Sequence, residues 1–96
     1  MTDAFVAALE ALPTGTFHGT ADGRRYVVSR TQAVQGRAEK LVAHALDGSD
    51  YVSLNLYRLE RGPLLKPCEM PEDKVVAFVL ALRPDAAPSR DTPEMT

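Results

Sequence analysis

The sequence predicts an α+β fold in which a four- to five-stranded antiparallel β meander carries an N-terminal and a C-terminal helix packed on one face. Three observations lead to this prediction. Apolar residues recur at helical spacing near both ends of the compact region, residues 51–60 alternate between apolar and polar side chains, and short turn sequences separate the segments between them. We expect one domain over residues 1–83 and a flexible proline-containing tail at 84–96.

Both helices are predicted from apolar spacing and from their end signals. The first covers residues 3–12 and ends at the sequence PTG. The second begins at Pro71, a residue favoured at the first helical position, and Glu72 and Asp73 then lie near its positive end. The apolar positions are Phe5, Val6, Leu9 and Leu12 in the first helix, and Val75, Val76, Phe78, Val79, Leu80 and Leu82 in the second.

The predicted strands are short segments bounded by turns. Asp22-Gly23 is a favoured pair for a tight hairpin turn with positive φ. Pro67 restricts the last strand to an edge of the sheet, because proline has no backbone N–H to donate. The expected strands are 16–21, 24–31, 38–46, 51–60 and a short strand at 64–68, with a longer loop at QAVQG.

Alternation in the strand at 51–60 separates a buried face from an open one. Val52, Leu54 and Leu56 are expected to pack beneath the helices, because an antiparallel sheet commonly buries one face and leaves the other in water. Tyrosines beside asparagine, serine and arginine are typical of surfaces that bind proteins. The candidate binding residues on the open face are Tyr26, Arg30, Tyr51, Ser53, Asn55 and Tyr57.

Composition and charge argue against several classes of protein. The chain has 96 residues, of which 45% are hydrophobic, and its formal net charge of −2 gives no field that attracts nucleic acid or an anionic membrane. The N-terminus does not resemble a signal peptide, and no apolar stretch has the length of a bilayer span. We therefore expect a cytoplasmic protein. Thirteen alanines and the excess of Arg over Lys suit a GC-rich bacterial genome.

Cys68 is the one candidate for catalysis. It precedes the second helix, whose dipole favours a thiolate, but Glu69, Glu72 and Asp73 oppose that charge. A lone cysteine is also among the most commonly buried residues, so a structural role is the favoured interpretation.

Metal and cofactor sites lack a sequence signature. His18, His44 and Cys68 do not have the spacing of paired metal ligands, and no glycine-rich phosphate loop is present. We predict no metal and no cofactor.

Two family resemblances concern the second half of the chain. The stretch YVSLNLYRLERGPLLKPCEMPEDKVVAFVLAL resembles the PC4-like transcriptional coactivators in its order of strand, glycine turn, LKP and proline-proximal helix, which implies single-stranded nucleic-acid binding on a curved sheet. The chain is also similar to short bacterial proteins labelled peptide methionine sulfoxide reductases, which would imply thiol chemistry at Cys68. It lacks their glycine–cysteine–phenylalanine signature and their zinc-binding cysteine pairs.

The functional prediction is a small interaction module without catalysis, which uses the exposed polar-aromatic sheet face or an edge strand. Its expected partner is another protein or a second copy of the chain as a homodimer, with nucleic acid disfavoured by charge and no membrane. One alternative is a thiol-dependent enzyme using Cys68. The other is a single-stranded nucleic-acid binder using Arg24, Arg25, Tyr26, Arg30 and Lys40.

Overall fold

A computed structural model of the chain describes residues 3–85. Neither of the helices in that range is long and apolar enough to cross a membrane. The elements are α1 (Asp3–Glu10), β1 (Gly15–Ala21), β2 (Arg24–Ala33), β3 (Ala38–Ala45), β4 (Tyr51–Leu59), β5 (Gly62–Pro67), α2 (Glu72–Ala81) and β6 (Arg83–Pro84).

The strands form one antiparallel six-stranded sheet in the order β5-β4-β3-β2-β1-β6. This confirms the predicted α+β meander, with one strand more than the four to five expected. The additional strand is β6, in which Arg83 pairs with Thr20 and Pro84 with Gly19. Residues 86–96 of the predicted tail lie outside the described part of the chain.

Two turns with left-handed backbone set the register of the first three strands. Asp22 and Gly23 have φ values of 51° and 78°, as a tight hairpin turn between twisted strands requires. Between β2 and β3, Val34, Gln35 and Gly36 have φ values of 55°, 57° and 85°. This second turn is shorter than the loop expected at QAVQG, because β2 continues to Ala33 instead of ending at residue 31.

Both helices cover the same face of the sheet. Phe5 and Leu9 of α1 and Val75 of α2 are completely buried, and they belong to one hydrophobic cluster with the inward side chains of the sheet. The expected placement of the three apolar β4 residues beneath the helices is confirmed. The sheet members of the cluster are Ala21, Tyr26, Val28, Leu41, Ala43, Ala45, Val52, Leu54, Leu56 and Leu65.

The segment containing α2 connects the two edges of the sheet. The chain leaves β5 at one edge, passes through α2 over the covered face, and enters β6 at the opposite edge. This path brings β6 so close to β1 that a Cβ added at Gly19 would lie 2.9 Å from the carbonyl oxygen of Arg83. No element within residues 3–85 packs on the other side of the sheet, which we call the open face.

Candidate functional site

The open face is built from alternate residues of neighbouring strands. In β4 these are Tyr51, Ser53, Asn55 and Tyr57, and antiparallel pairing places residues of the other strands beside them. The rows that result are His18, Val27, His44 and Tyr51; then Thr16, Ser29, Val42 and Ser53; then Thr31, Lys40, Asn55 and Lys66; and finally Ala33, Ala38, Tyr57 and Leu64.

The four β4 residues of this surface differ in accessibility. Tyr51 and Tyr57 are 43% and 37% exposed, whereas Ser53 is 1% exposed and presents no side chain to a partner. Asn55 is half-buried, and its Nδ2 lies 3.5 Å from Sγ of Cys68 as a hydrogen-bond donor. The tyrosines are therefore the accessible part of the predicted stripe. The imidazole of His44 lies 4.8 Å from the ring of Tyr51 and supports it from β3.

Tyr26 and Arg30 do not lie on the open face, and their predicted placement there is wrong. Both point to the covered face of β2, where 3% and 4% of their surfaces remain exposed. The sequence misleads at this point because Val27 and Val28 are adjacent, so alternation favours neither face. The pairing register of β2 with its neighbours then decides which face of the sheet each residue points to. The turn at Asp22-Gly23 sets that register.

Arg30 is held in the core by a carboxylate from the neighbouring strand. Its Nε donates a hydrogen bond of 2.7 Å to Oε1 of Glu39, and its Nη1 donates to the carbonyl oxygen of Leu12 just beyond α1. The other carboxylate oxygen of Glu39 makes an ion pair with Arg58, but without the alignment of a good hydrogen bond. Burial alone would raise the pKa of Glu39, yet the two guanidinium groups outweigh it and lower that pKa.

Tyr26 has a structural partner at the opposite end of the covered face. Its hydroxyl donates a hydrogen bond of 2.7 Å to Asp50, and its ring packs edge-on against Phe78 with centroids 4.8 Å apart. The ammonium group of Lys74 lies 2.8 Å from Asp50. Hydrogen bonds from Lys74 and Tyr26 lower the pKa of Asp50 to about 2. Both mispredicted residues thus stabilise the fold from inside it.

Charge is segregated between the open face and the rest of the described chain. The cations that point outward from the open face are Arg25, Lys40, Lys66 and Arg83, and the single carboxylate among residues 3–85 that does so is Asp85. The two carboxylate oxygens of Asp85 accept hydrogen bonds of 2.6 Å and 2.8 Å from the guanidinium group of Arg25. These hydrogen bonds lower the pKa of Asp85. The other described carboxylates lie in helices, turns or the core. The open face is therefore positive although the chain carries a net charge of −2.

Exposed hydrophobic side chains also concentrate on the open face. Of the large hydrophobic residues exposed within residues 3–85, Leu80 alone lies in a helix, and the others lie on the open face or in the turns beside it. Several meet at the end of the sheet where the β2–β3 and β4–β5 turns come together. A groove of about 540 Å³ there, which we call the apolar groove, is lined by Val34, Arg37, Ala38, Tyr57, Arg58, Leu59 and Glu60.

Cys68 lies on the open face but not beside a histidine. It continues the edge strand β5, and its amide donates a hydrogen bond of 3.1 Å to the carbonyl oxygen of Ser53. His44 is on β3, two strands away, and His18 is on β1, two strands farther. The register therefore brings no imidazole to the thiol. Within residues 3–85, no group of three or more His, Cys, Asp or Glu side chains is arranged to hold a metal ion.

Sequence reasoning missed several members of the open face. Leu64 and Lys66 belong to it because β5 pairs in register with β4, and Arg83 belongs to it through β6. Leu59 belongs to it by alternation along β4. The segment GPLLKP has no clear alternation, so its faces follow only from its pairing with the well-patterned strand β4.

Comparisons of this chain with protein-family models, with curated proteins and with solved structures give no match. The two family resemblances of the sequence remain predictions. The function is therefore inferred from the geometry of the open face.

Proposed function

We propose that the protein is an interaction module without catalysis whose open face binds a segment of a partner protein. The observation that carries this proposal is the distribution of exposed hydrophobic side chains. Six of the seven large ones within residues 3–85 lie on or beside the open face, whereas the helical side contributes Leu80. Exposed apolar groups gathered on one surface are a feature of binding sites, because water solvates such a patch poorly.

The chemistry of the patch supports a protein partner. Tyr51 and Tyr57 offer aromatic area whose side chains have few rotatable bonds, so that their immobilisation costs little conformational entropy. Asn55 and Lys66 form the row next to Tyr57, on the side toward Tyr51, and they offer hydrogen-bonding groups. Aromatic side chains are enriched at protein–protein interfaces, where hydrogen-bonding groups accompany them.

Charge favours a foreign protein over a second copy facing the first. A twofold dimer through the open face would place Lys40 and Lys66 against the same positive face of the other copy. The one described carboxylate of the face, Asp85, is already paired with Arg25. Like charges that meet without a counter-charge oppose association.

The edges of the sheet are less suited to binding than its face. Just after β5, the backbone N–H of Cys68 donates a hydrogen bond to the carbonyl oxygen of Ser53 in β4. Because backbone groups alternate in direction along a strand, the nitrogens of residues 63, 65 and 67 point away from β4. Pro63 and Pro67 carry no N–H, and Leu65 is left as the outward donor of that edge strand. At the other edge, β6 covers β1 at Gly19 and Thr20.

A peptide-display selection tests this proposal. A random library of 12-residue peptides on phage is selected against the immobilised protein and then screened on the Tyr51→Ala/Tyr57→Ala variant. We expect selected peptides to bind the protein and to lose at least about tenfold in affinity for the variant, since tyrosine is enriched among the interface hot spots whose truncation costs about 2 kcal/mol or more.

The Leu80→Ala variant is the control, because it removes an exposed apolar side chain from the helical side. It should bind the selected peptides as the unmodified protein does. The proposal is rejected when no peptide is selected, or when the peptides bind the tyrosine variant as tightly as the control.

A further inference from the structure

The apolar groove and the lysine row lie next to each other on the open face. Tyr57 borders the groove, and the row of Lys40, Asn55 and Lys66 is the adjacent one along the strands. Alternate residues of a strand are about 6.8 Å apart. One bound segment can therefore contact both features at the same time.

The groove is built to receive an aliphatic side chain. Val34 and Leu59 are 65% and 39% exposed, and together with Ala38 and the ring of Tyr57 they give it an apolar lining. Its volume of about 540 Å³ falls within the usual range of ligand clefts. Such a cavity gains from an apolar group that displaces its water.

The conformation of Val34 is an independent observation at the same place. Its φ of 55° lies in the left-handed region, which a β-branched side chain occupies only with strain. Glycine or asparagine would suit this turn position better, and burial does not explain valine because its side chain is exposed. Valine therefore places an exposed apolar side chain at the rim of the groove at the cost of backbone strain, as a binding role would explain.

The lysine row determines the charge of the bound segment. Lys40 and Lys66 lie two strands apart, about 10 Å, on either side of Asn55. Within residues 3–85, neither lysine has a carboxylate partner, and Arg37 at the groove is an exposed third cation. Glu60 lies in the β4–β5 turn, at the end of the groove away from the lysines.

We infer that the partner segment carries an aliphatic residue flanked by carboxylates, with the aliphatic side chain in the apolar groove and the carboxylates on Lys40, Lys66 and Arg37. This inference rests on the proposed function and specifies its partner. A protein segment is favoured over single-stranded nucleic acid because the groove is lined by valine, alanine and leucine. Nucleic-acid binding instead combines stacked aromatic rings with a continuous cationic track.

The composition of the selected peptides tests the inference separately from the proposed function. Peptides that depend on the two tyrosines should be enriched in Asp or Glu next to Leu, Ile, Val or Met. Tyrosine-dependent peptides without that enrichment would overturn the inference and leave the proposed function standing. A selection that yields no tyrosine-dependent peptide would overturn both.

Affinity measurements with one synthetic acidic peptide from the selection test the contacts. Lys40→Gln and Lys66→Gln should each weaken binding about two- to fivefold at low salt, and the difference should shrink as salt rises. Arg61→Gln, in the β4–β5 turn, is the control for loss of one positive charge and should leave affinity within twofold. Equal effects of all three variants would contradict the inference.

Val34→Asn separates a binding role from a structural one. Asparagine tolerates the left-handed backbone, so this variant should raise the thermal midpoint of unfolding. Its affinity for the acidic peptide should fall at least about threefold. Unchanged affinity would overturn the assignment of the groove. A (dT)12 oligonucleotide is the second probe, and lysine-dependent binding of it that is tighter than that of the peptide would also overturn the inference.

Discussion

Replacement of Glu39 by glutamine tests how the covered face accommodates two buried charges. The side chains of Arg30 and Glu39 are 5% and 1% exposed and are joined at 2.7 Å. In Glu39→Gln the volume is kept and one amide oxygen can still accept the bond from Arg30. The negative charge is lost, however, and Arg30 remains as a buried cation without a counter-charge.

The expected loss in free energy of unfolding depends on how deeply Arg30 is buried and on the hydrogen-bond partners that it keeps. Removal of one member of a buried ion pair typically costs 3–5 kcal/mol. We expect the lower end, about 3 kcal/mol, because the hydrogen bond to Leu12 persists and Arg58 keeps its contact of 2.9 Å with Glu10. For a domain of this size, that corresponds to a decrease of about 12–24 °C in the thermal midpoint.

Urea and thermal unfolding followed by circular dichroism measure this change. Lys40→Gln is the control, because it alters the neighbouring exposed position on the other face and should stay within about 0.5 kcal/mol of the unmodified protein. The double variant Arg30→Met/Glu39→Leu should recover much of the loss, since no uncompensated charge is left. A decrease below about 1 kcal/mol for Glu39→Gln would show that buried Arg30 does not depend on the negative charge of Glu39.

Two further predictions concern stability. Acid should destabilise the fold through Asp50, because its pKa is about 2 in the folded protein, below the ordinary 3.8. Its contribution of about 2 kcal/mol is complete above about pH 5 and is lost as the pH falls through 3.8 toward 2. Unfolding free energies measured across that range should show this slope, and Asp50→Asn should make it shallower, leaving the part that comes from Glu39 and Asp85. Gly19→Ala should cost about 1–3 kcal/mol, because its Cβ would lie 2.9 Å from the Arg83 carbonyl oxygen and 3.0 Å from a methyl group of Leu82. A stability equal to that of the unmodified protein would show that β6 is not held against β1.

The sequence predicts the fold well wherever a local pattern has one solution. The alternation of Val52, Leu54 and Leu56 identifies the inner face of β4, and Asp22-Gly23 locates the first hairpin. The two-residue strand β6 has no such signal, since two residues are too few for alternation and its partner is distant in sequence.

The candidate site is less predictable because register decides its composition. Arg30 is buried only because pairing of β2 with β3 brings Glu39 within reach, a contact that neither residue signals locally. The positive charge of the open face likewise appears only when Lys40 and Lys66 are placed on the same row. The overall charge of −2 gives no indication of it.

The position of a bound peptide on the protein decides whether the open face is the binding surface. Chemical-shift mapping of the ¹⁵N-labelled protein with the selected acidic peptide reports which backbone amides sense binding. We predict that the largest shifts fall in β3, β4 and β5 around Lys40, Asn55 and Lys66, with the β2–β3 turn at Val34 also affected and α1 and α2 little changed. Shifts centred on the outer surface of the two helices would contradict the account.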